Sequence, residues 1–211
     1  MRWKRVSGER VQPNRGRYRN WKSQVANDCG GQCVYCAIHE SRFGGLANFH
    51  VEHHRPKSNP RFAHLKDVIT NLYLACAICN WFKGNDWPND PVNDHSVVGY
   101  PDPASTDYND LFTIGADTYL VVGIFPASKY VTERLYLNRP QLILERRSWA
   151  IEYRLGQFEH FALDAAKVLE GRGEKQATRL IAQLLKIVVD LNQQFRDANR
   201  VRPYELAEIR R

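Results

Sequence analysis

Two Cys-x-x-Cys pairs, Cys33-Val-Tyr-Cys36 and Cys76-Ala-Ile-Cys79, restrict this chain more than any other feature. Each pair can give two thiolates to one metal ion, and four soft sulfur ligands complete a tetrahedral Zn²⁺ shell with no position left open. A closed shell of that kind is structural, not catalytic, and here it would staple the long segment between the pairs. Short paired spacings point to metal more than to disulfides in a protein that stays in the reducing cytosol. A redox pair or buried free thiols are the competing readings. Cys29 has no matching partner and reads as a structural or free thiol.

Charge is the second constraint. The chain has 211 residues and a formal net charge of +7, and the whole excess lies in residues 1–22. There Arg2, Lys4, Arg5, Arg10, Arg15, Arg17, Arg19 and Lys22 face a single acid, Glu9; the remainder is balanced. Trp3, Tyr18 and Trp21 are interleaved with these cations, a composition suited to a polyanion, with charge for phosphates and rings for bases. A solvated basic tail is the other reading. With 43% hydrophobic residues the chain can bury a core, and no apolar run is long enough to span a bilayer. The N-terminus has no apolar stretch behind its charges, so a cytoplasmic location is expected.

The chain divides into four parts: a basic N-terminal arm (1–28), a segment holding the cysteine pairs and most histidines (29–90), a loop-rich linker with short strands (91–138), and a helical C-terminal region (139–211). Residues 47–52 read as extended, and residues 77–83 as a short helix stopped near Gly84. Residues 119–125 are strand-like, whereas 130–135 fit a strand or a helix start equally well. Asn138 is a candidate cap for a helix with Pro140 in its first turn. Leu142, Trp149, Tyr153 and Phe158 follow at helical spacing, Gly171 and Gly173 interrupt it, and a second amphipathic helix runs from about Ala177. Both helices read as core or partner-binding.

Between the cysteine pairs lies His50-Val-Glu-His-His-Arg-Pro-Lys-Ser58, followed by Asn71-Leu72 and then Asn80-Trp-Phe-Lys83-Gly84 directly after the second pair. A carboxylate beside an imidazole, followed by proline and basic residues, is unusual at an ordinary strand end. Taken in order, these elements resemble the HNH endonuclease family: Cys-x-x-Cys, acid-His-x-x-Pro, Asn-Leu, then Cys-x-x-Cys-Asn-x-x-Lys. Glu52 stands where that family usually has Asp. The resemblance implies an α+β fold, a ββα-metal motif stapled by the Cys33, Cys36, Cys76 and Cys79 zinc site, with a mainly helical C-terminal part.

The same resemblance implies roles. His53 would be the general base that takes a proton from water. Glu52 and Asn80 would hold a catalytic Mg²⁺ or Mn²⁺ through oxygen ligands. Asn71 would brace the loop behind the histidine. The expected activity is hydrolysis of DNA phosphodiester bonds, leaving 5′-phosphate and 3′-hydroxyl ends. Side chains alternate along an extended segment, so His53 and His54 should face opposite ways, and register with the family favours His53. Arg55, Lys57 and Lys83 are candidates to meet phosphates.

A narrower likeness is to the HNH nucleases of bacterial anti-phage systems such as Septu and some retrons. It rests on Glu52–Ser58, Cys79–Gly84, Trp87-Pro88 and, more loosely, Thr132–Asn138. It implies an effector working beside an ATPase subunit; the chain itself carries no Gly-x-x-x-x-Gly-Lys-Ser/Thr loop. The alternative is a non-catalytic zinc module that binds nucleic acid or a protein partner.

Overall fold

The computed structural model describes residues 2–90, 94–169 and 174–200. Two compact units result, Met1–Leu142 and Ile143–Arg211. In the first, a 3₁₀ turn leads into α1 (Lys22–Asp28), which packs on the two-stranded antiparallel sheet of β1 (Phe49–His53) and β2 (Leu72–Cys76). The register pairs Phe49 with Cys76 and His53 with Leu72. β2 runs straight into α2 (Ala77–Lys83), because the Cys76 sulfur accepts the Cys79 amide at 3.5 Å and caps the helix. Gly84 then ends α2 at φ +51°, a conformation that disfavours a β-carbon. The fold is thus a mixed α+β arrangement with a ββα unit at its centre.

All five residues of β2 are buried. Much of what covers them comes from the N-terminal segment. Trp3, Val6, Tyr18, Trp21 and Val25 belong to the same core as Tyr35, Phe49, Leu72 and Leu74. Trp3 donates its indole N–H to the Tyr35 carbonyl at 3.0 Å and stacks on Phe112 at 5.1 Å. The basic segment is therefore no solvated tail. The expectation that its rings stack on bases finds little free ring surface, since Trp3, Tyr18 and Trp21 are all buried, Tyr18 at the edge of a cleft.

Beyond α2 come α3 (Tyr108–Leu111), the hairpin β3 (Phe112–Ile114) and β4 (Val121–Gly123), and then α4 (Pro126–Arg134). Residues 130–134 thus form the end of a helix, with Leu135 as its cap, and no second strand. Pro126 occupies its first turn and Ser128 Oγ accepts the Phe125 amide, so the start is specified locally. Gly123 lies so close to α4 that a β-carbon there would fall 2.3 Å from the Lys129 nitrogen. Asn138 turns its side chain to β4, accepting from the Val121 amide and donating to the Val121 carbonyl, both at 2.8 Å, and so secures the edge of that strand.

α5 (Pro140–Leu169) and α6 (Glu174–Arg200) make up most of the second unit. Arg154 on α5 donates to Gln194 on α6 at 2.5 Å, and Ile151 and Leu191 are buried. Trp149 and Tyr153 stack on one another at 5.5 Å and remain partly exposed. Gly171, Gly173 and residues 201–211 lie outside the described residues, as do residues 91–93 of the linker.

Candidate functional site

β1 ends at His53, and the chain sends the two neighbouring histidines to different surroundings. Glu52 and His53 border a cleft of about 420 Å³ whose other walls include Tyr18, Arg19, Lys22, Lys57 and Asn80. His54 is not in that lining. It is fully buried, with its ring edge-on to Tyr73 at 5.7 Å and to Trp87 at 5.0 Å, and neither ring nitrogen has a hydrogen-bond partner. Burial depresses its pKa to about 3, so the ring is neutral at ordinary pH.

His53 is held differently. Its Nε2 lies 2.9 Å from the Lys66 carbonyl oxygen. A carbonyl can only accept, so Nε2 carries the proton and Nδ1 keeps a lone pair. The Tyr18 ring meets the imidazole edge-on at 4.6 Å. Burial, partly opposed by the Lys66 carbonyl, lowers the His53 pKa to about 4. The ring is therefore a neutral proton acceptor at pH 7.

Glu52 forms a buried ion pair: Lys83 Nζ lies 2.7 Å from Oε1, and the Tyr35 hydroxyl approaches the same oxygen at 3.5 Å. Burial raises the Glu52 pKa, and the neighbouring ammonium pulls the other way. Lys83 also donates to the His53 carbonyl at 3.2 Å and faces the Tyr100 and Trp87 rings at 5.2 and 5.9 Å. Its side chain has no exposure at all. This corrects the expectation that Lys83 meets phosphates. A basic residue in the last turn of a surface helix is normally solvated, but here the Glu52 carboxylate draws it inside.

Asn71 is buried and binds the backbone after the histidines. Its Oδ1 accepts the Arg55 amide at 2.8 Å, and its Nδ2 donates to the carbonyls of Arg55 and Leu65 at 3.0 and 3.3 Å. Arg55 itself lies outside the cleft lining, 5.9 Å from the Trp87 ring centre. Lys57 is in the lining and donates to the Tyr18 hydroxyl at 2.7 Å. That bond and one from Arg19 at 3.1 Å lower the Tyr18 pKa. Tyr18, Arg19 and Lys22 were not singled out as site residues by sequence. The charge cluster of residues 1–22 was their only signal.

On the far end of β2 the four cysteines converge. The sulfurs of Cys33, Cys36, Cys76 and Cys79 lie within 4.8 Å of one another, all buried. Cys36 and Cys76 are 3.8 Å apart, and a tetrahedron with Zn–S bonds of about 2.3 Å has sulfurs about 3.8 Å apart. The set fits zinc. Cys29 stands apart from it; its sulfur accepts the Leu74 amide at 3.3 Å, and burial pushes the thiol up to about 11, so it is unreactive. The cleft offers a second, harder donor set. Lys83 and Tyr35 both approach Glu52 Oε1, and the Asn80 carboxamide shares the cleft with that carboxylate.

A two-stranded antiparallel sheet running into a short helix, with four cysteines clustered beside it, defines a metal-binding ββα domain. Residues 33–86, about a quarter of the chain, match the family described as HNH endonuclease. No curated protein and no solved structure matches the chain. Among the described residues, no helix is long and apolar enough to cross a membrane.

Proposed function

We propose that the cleft hydrolyses phosphodiester bonds of DNA, with His53 as general base and one Mg²⁺ or Mn²⁺ held by Glu52 and Asn80. The observation that carries this reading is the His53–Lys66 hydrogen bond. It fixes the tautomer, leaving Nδ1 to accept a proton from water, and the Lys66 carbonyl then stabilises the imidazolium that results. Asn71 holds the Arg55 backbone and so keeps the turn after β1 from drifting. Arg19, Lys22 and Lys57 line the same cleft and would position the phosphate backbone without reading sequence. When bound, the hard cation would neutralise charge on the scissile phosphate and the leaving oxygen. The resemblance to anti-phage nucleases extends this to a regulated cytoplasmic effector that works beside an ATPase subunit.

The Glu52–Lys83 pair favours one alternative, a zinc-stabilised module that binds nucleic acid without cutting it, because the ammonium competes with a cation for the carboxylate. A plasmid-cleavage assay separates the two. Metal-loaded protein is incubated with supercoiled DNA in Mg²⁺, Mn²⁺ or EDTA. The catalytic reading expects metal-dependent nicking that falls about 100-fold or more in His53→Ala. Arg61→Gln serves as the control, since Arg61 pairs with Asp90 at 2.5 Å outside the cleft. DNA binding with no cleavage under either metal would select the binding module.

A further inference from the structure

Arg139 lies outside the stretch that matches the family, yet its guanidinium reaches the four-cysteine centre. Nη2 is 3.6 Å from the Cys79 sulfur, 3.7 Å from Cys76 and 3.9 Å from Cys36, distances suited to N–H···S hydrogen bonds. Nη1 donates to the carbonyls of Leu135 and Tyr136, at 3.1 and 3.3 Å, where α4 has just ended. Nε is buried with no partner. Among the described residues no carboxylate pairs with Arg139.

A guanidinium keeps its proton in proteins, so this is a permanent cation in a half-buried place, with Nε shut off from solvent. An unpaired cation is costly even when only partly removed from water. Four neutral thiols give it no counter-charge. Four thiolates around one divalent ion carry two net negative charges, which supplies what the carboxylates do not. We infer that Arg139 is the counter-cation of the metal centre, bonding three ligand sulfurs and clasping the end of α4 onto the metal-loaded site. The arrangement has two consequences. The N–H···S bonds stabilise the thiolate form of the ligands and slow their release of metal. Metal loading in turn holds the turn at residues 135–139, because the same side chain binds both. Neither consequence depends on the cleft being catalytic.

The test is zinc release from the full-length protein to a chromogenic chelator, comparing wild type with Arg139→Lys and Arg139→Gln. Outer-shell partners of a metal site are typically worth about 10- to 100-fold in metal affinity. Release should accelerate by about 10-fold or more in Arg139→Gln. Arg139→Lys, which keeps the charge but loses the planar fork, should fall between. A Gln variant within about twofold of wild type overturns the inference, given that expected range. So does a Lys variant as fast as Gln, because charge would then be irrelevant. If a variant is unfolded as purified, its thermal transition is measured again in excess Zn²⁺. Recovery supports the inference, since weakened affinity is restored by mass action. A variant that stays unfolded in excess Zn²⁺ overturns it, showing that Arg139 serves packing independent of the metal.

Discussion

Replacing Lys83 by Met should destabilise the protein severely, although Lys83 is a single residue at the end of a two-turn helix. Methionine fills nearly the same volume, so the change removes charge more than packing. The ammonium lies 2.7 Å from Glu52 Oε1, with side-chain exposures of 0% and 6% for the two residues. At that separation and an effective dielectric constant of about 20, the attraction is about 6 kcal/mol. Leaving the ammonium out of the interior returns part of this, and breaking buried pairs from one side typically costs about 3–5 kcal/mol. The bond to the His53 carbonyl goes as well. Domains are stable by only about 5–15 kcal/mol, so the loss is a large share of the whole. Urea titration followed by tryptophan fluorescence reads it, because Trp87 lies beside Lys83. The deficit should shrink as pH falls: without its cation the Glu52 carboxyl titrates still higher, and once protonated it no longer needs a partner. The double variant Glu52→Gln/Lys83→Met should recover most of the stability, since the orphaned charge is gone. A single variant costing less than about 1 kcal/mol, or a double variant no better than the single, would refute the reasoning, because either would make this pair equivalent to a surface salt bridge.

Two further outcomes follow from the histidines and the brace behind them. The folded pKa values of His53 and His54, about 4 and about 3, lie below the ordinary 6.5, so the unfolded chain binds more protons as pH falls below 6.5; each histidine should then remove about 1.4 kcal/mol of stability per pH unit between pH 6.5 and its folded pKa, and His54→Phe should reduce the slope by one such share in melts compared with wild type, where any effect of the metal centre cancels. Asn71→Ala leaves the Arg55 amide and the Arg55 and Leu65 carbonyls without their partner; it should cost about 1–3 kcal/mol in urea titration and, if the cleft is catalytic, lower plasmid cleavage while the Cys₄ metal content stays at the wild-type value.

Sequence carried the parts of this fold that local rules specify. Cysteine spacing is a local property, and the four sulfurs lie together as the spacing suggested. The helix of residues 77–83 was legible because the second cysteine pair opens it and Gly84 closes it. What sequence misjudged depends on partners far along the chain. Lys83 reads as a surface cation until Glu52, on a neighbouring strand, is brought against it. Asn138 satisfies the local rule for a helix cap, but that rule gives no hint of its two bonds to Val121. The basic N-terminal segment shows the limit of reading by composition. Its cations do reach the cleft through Arg19 and Lys22, while its rings, counted among base-stacking groups, are core residues. Composition cannot separate those two fates, because both place Arg and aromatic residues side by side.

That segment also explains why the family-like stretch is only part of a working unit. A two-stranded sheet on its own is marginal in water, yet β2 is buried at every position. Residues before the matched stretch close it: Arg10 donates to the Leu72 carbonyl at 2.5 Å, Gln12 accepts the Ile69 amide at 2.8 Å, and the Tyr18 amide donates to Asp67 at 2.9 Å. The last two contacts grip the loop that carries Lys66, whose carbonyl fixes the His53 tautomer. From the other side of the stretch, Arg139 reaches the cysteine centre. The reacting groups proposed for this protein therefore lie within residues 33–86, but residues before that stretch hold the loop behind His53 and bring Arg19 and Lys22 to the cleft, and Arg139, after it, reaches the four cysteines. Substitutions in those flanks should alter the site without touching any residue of the motif.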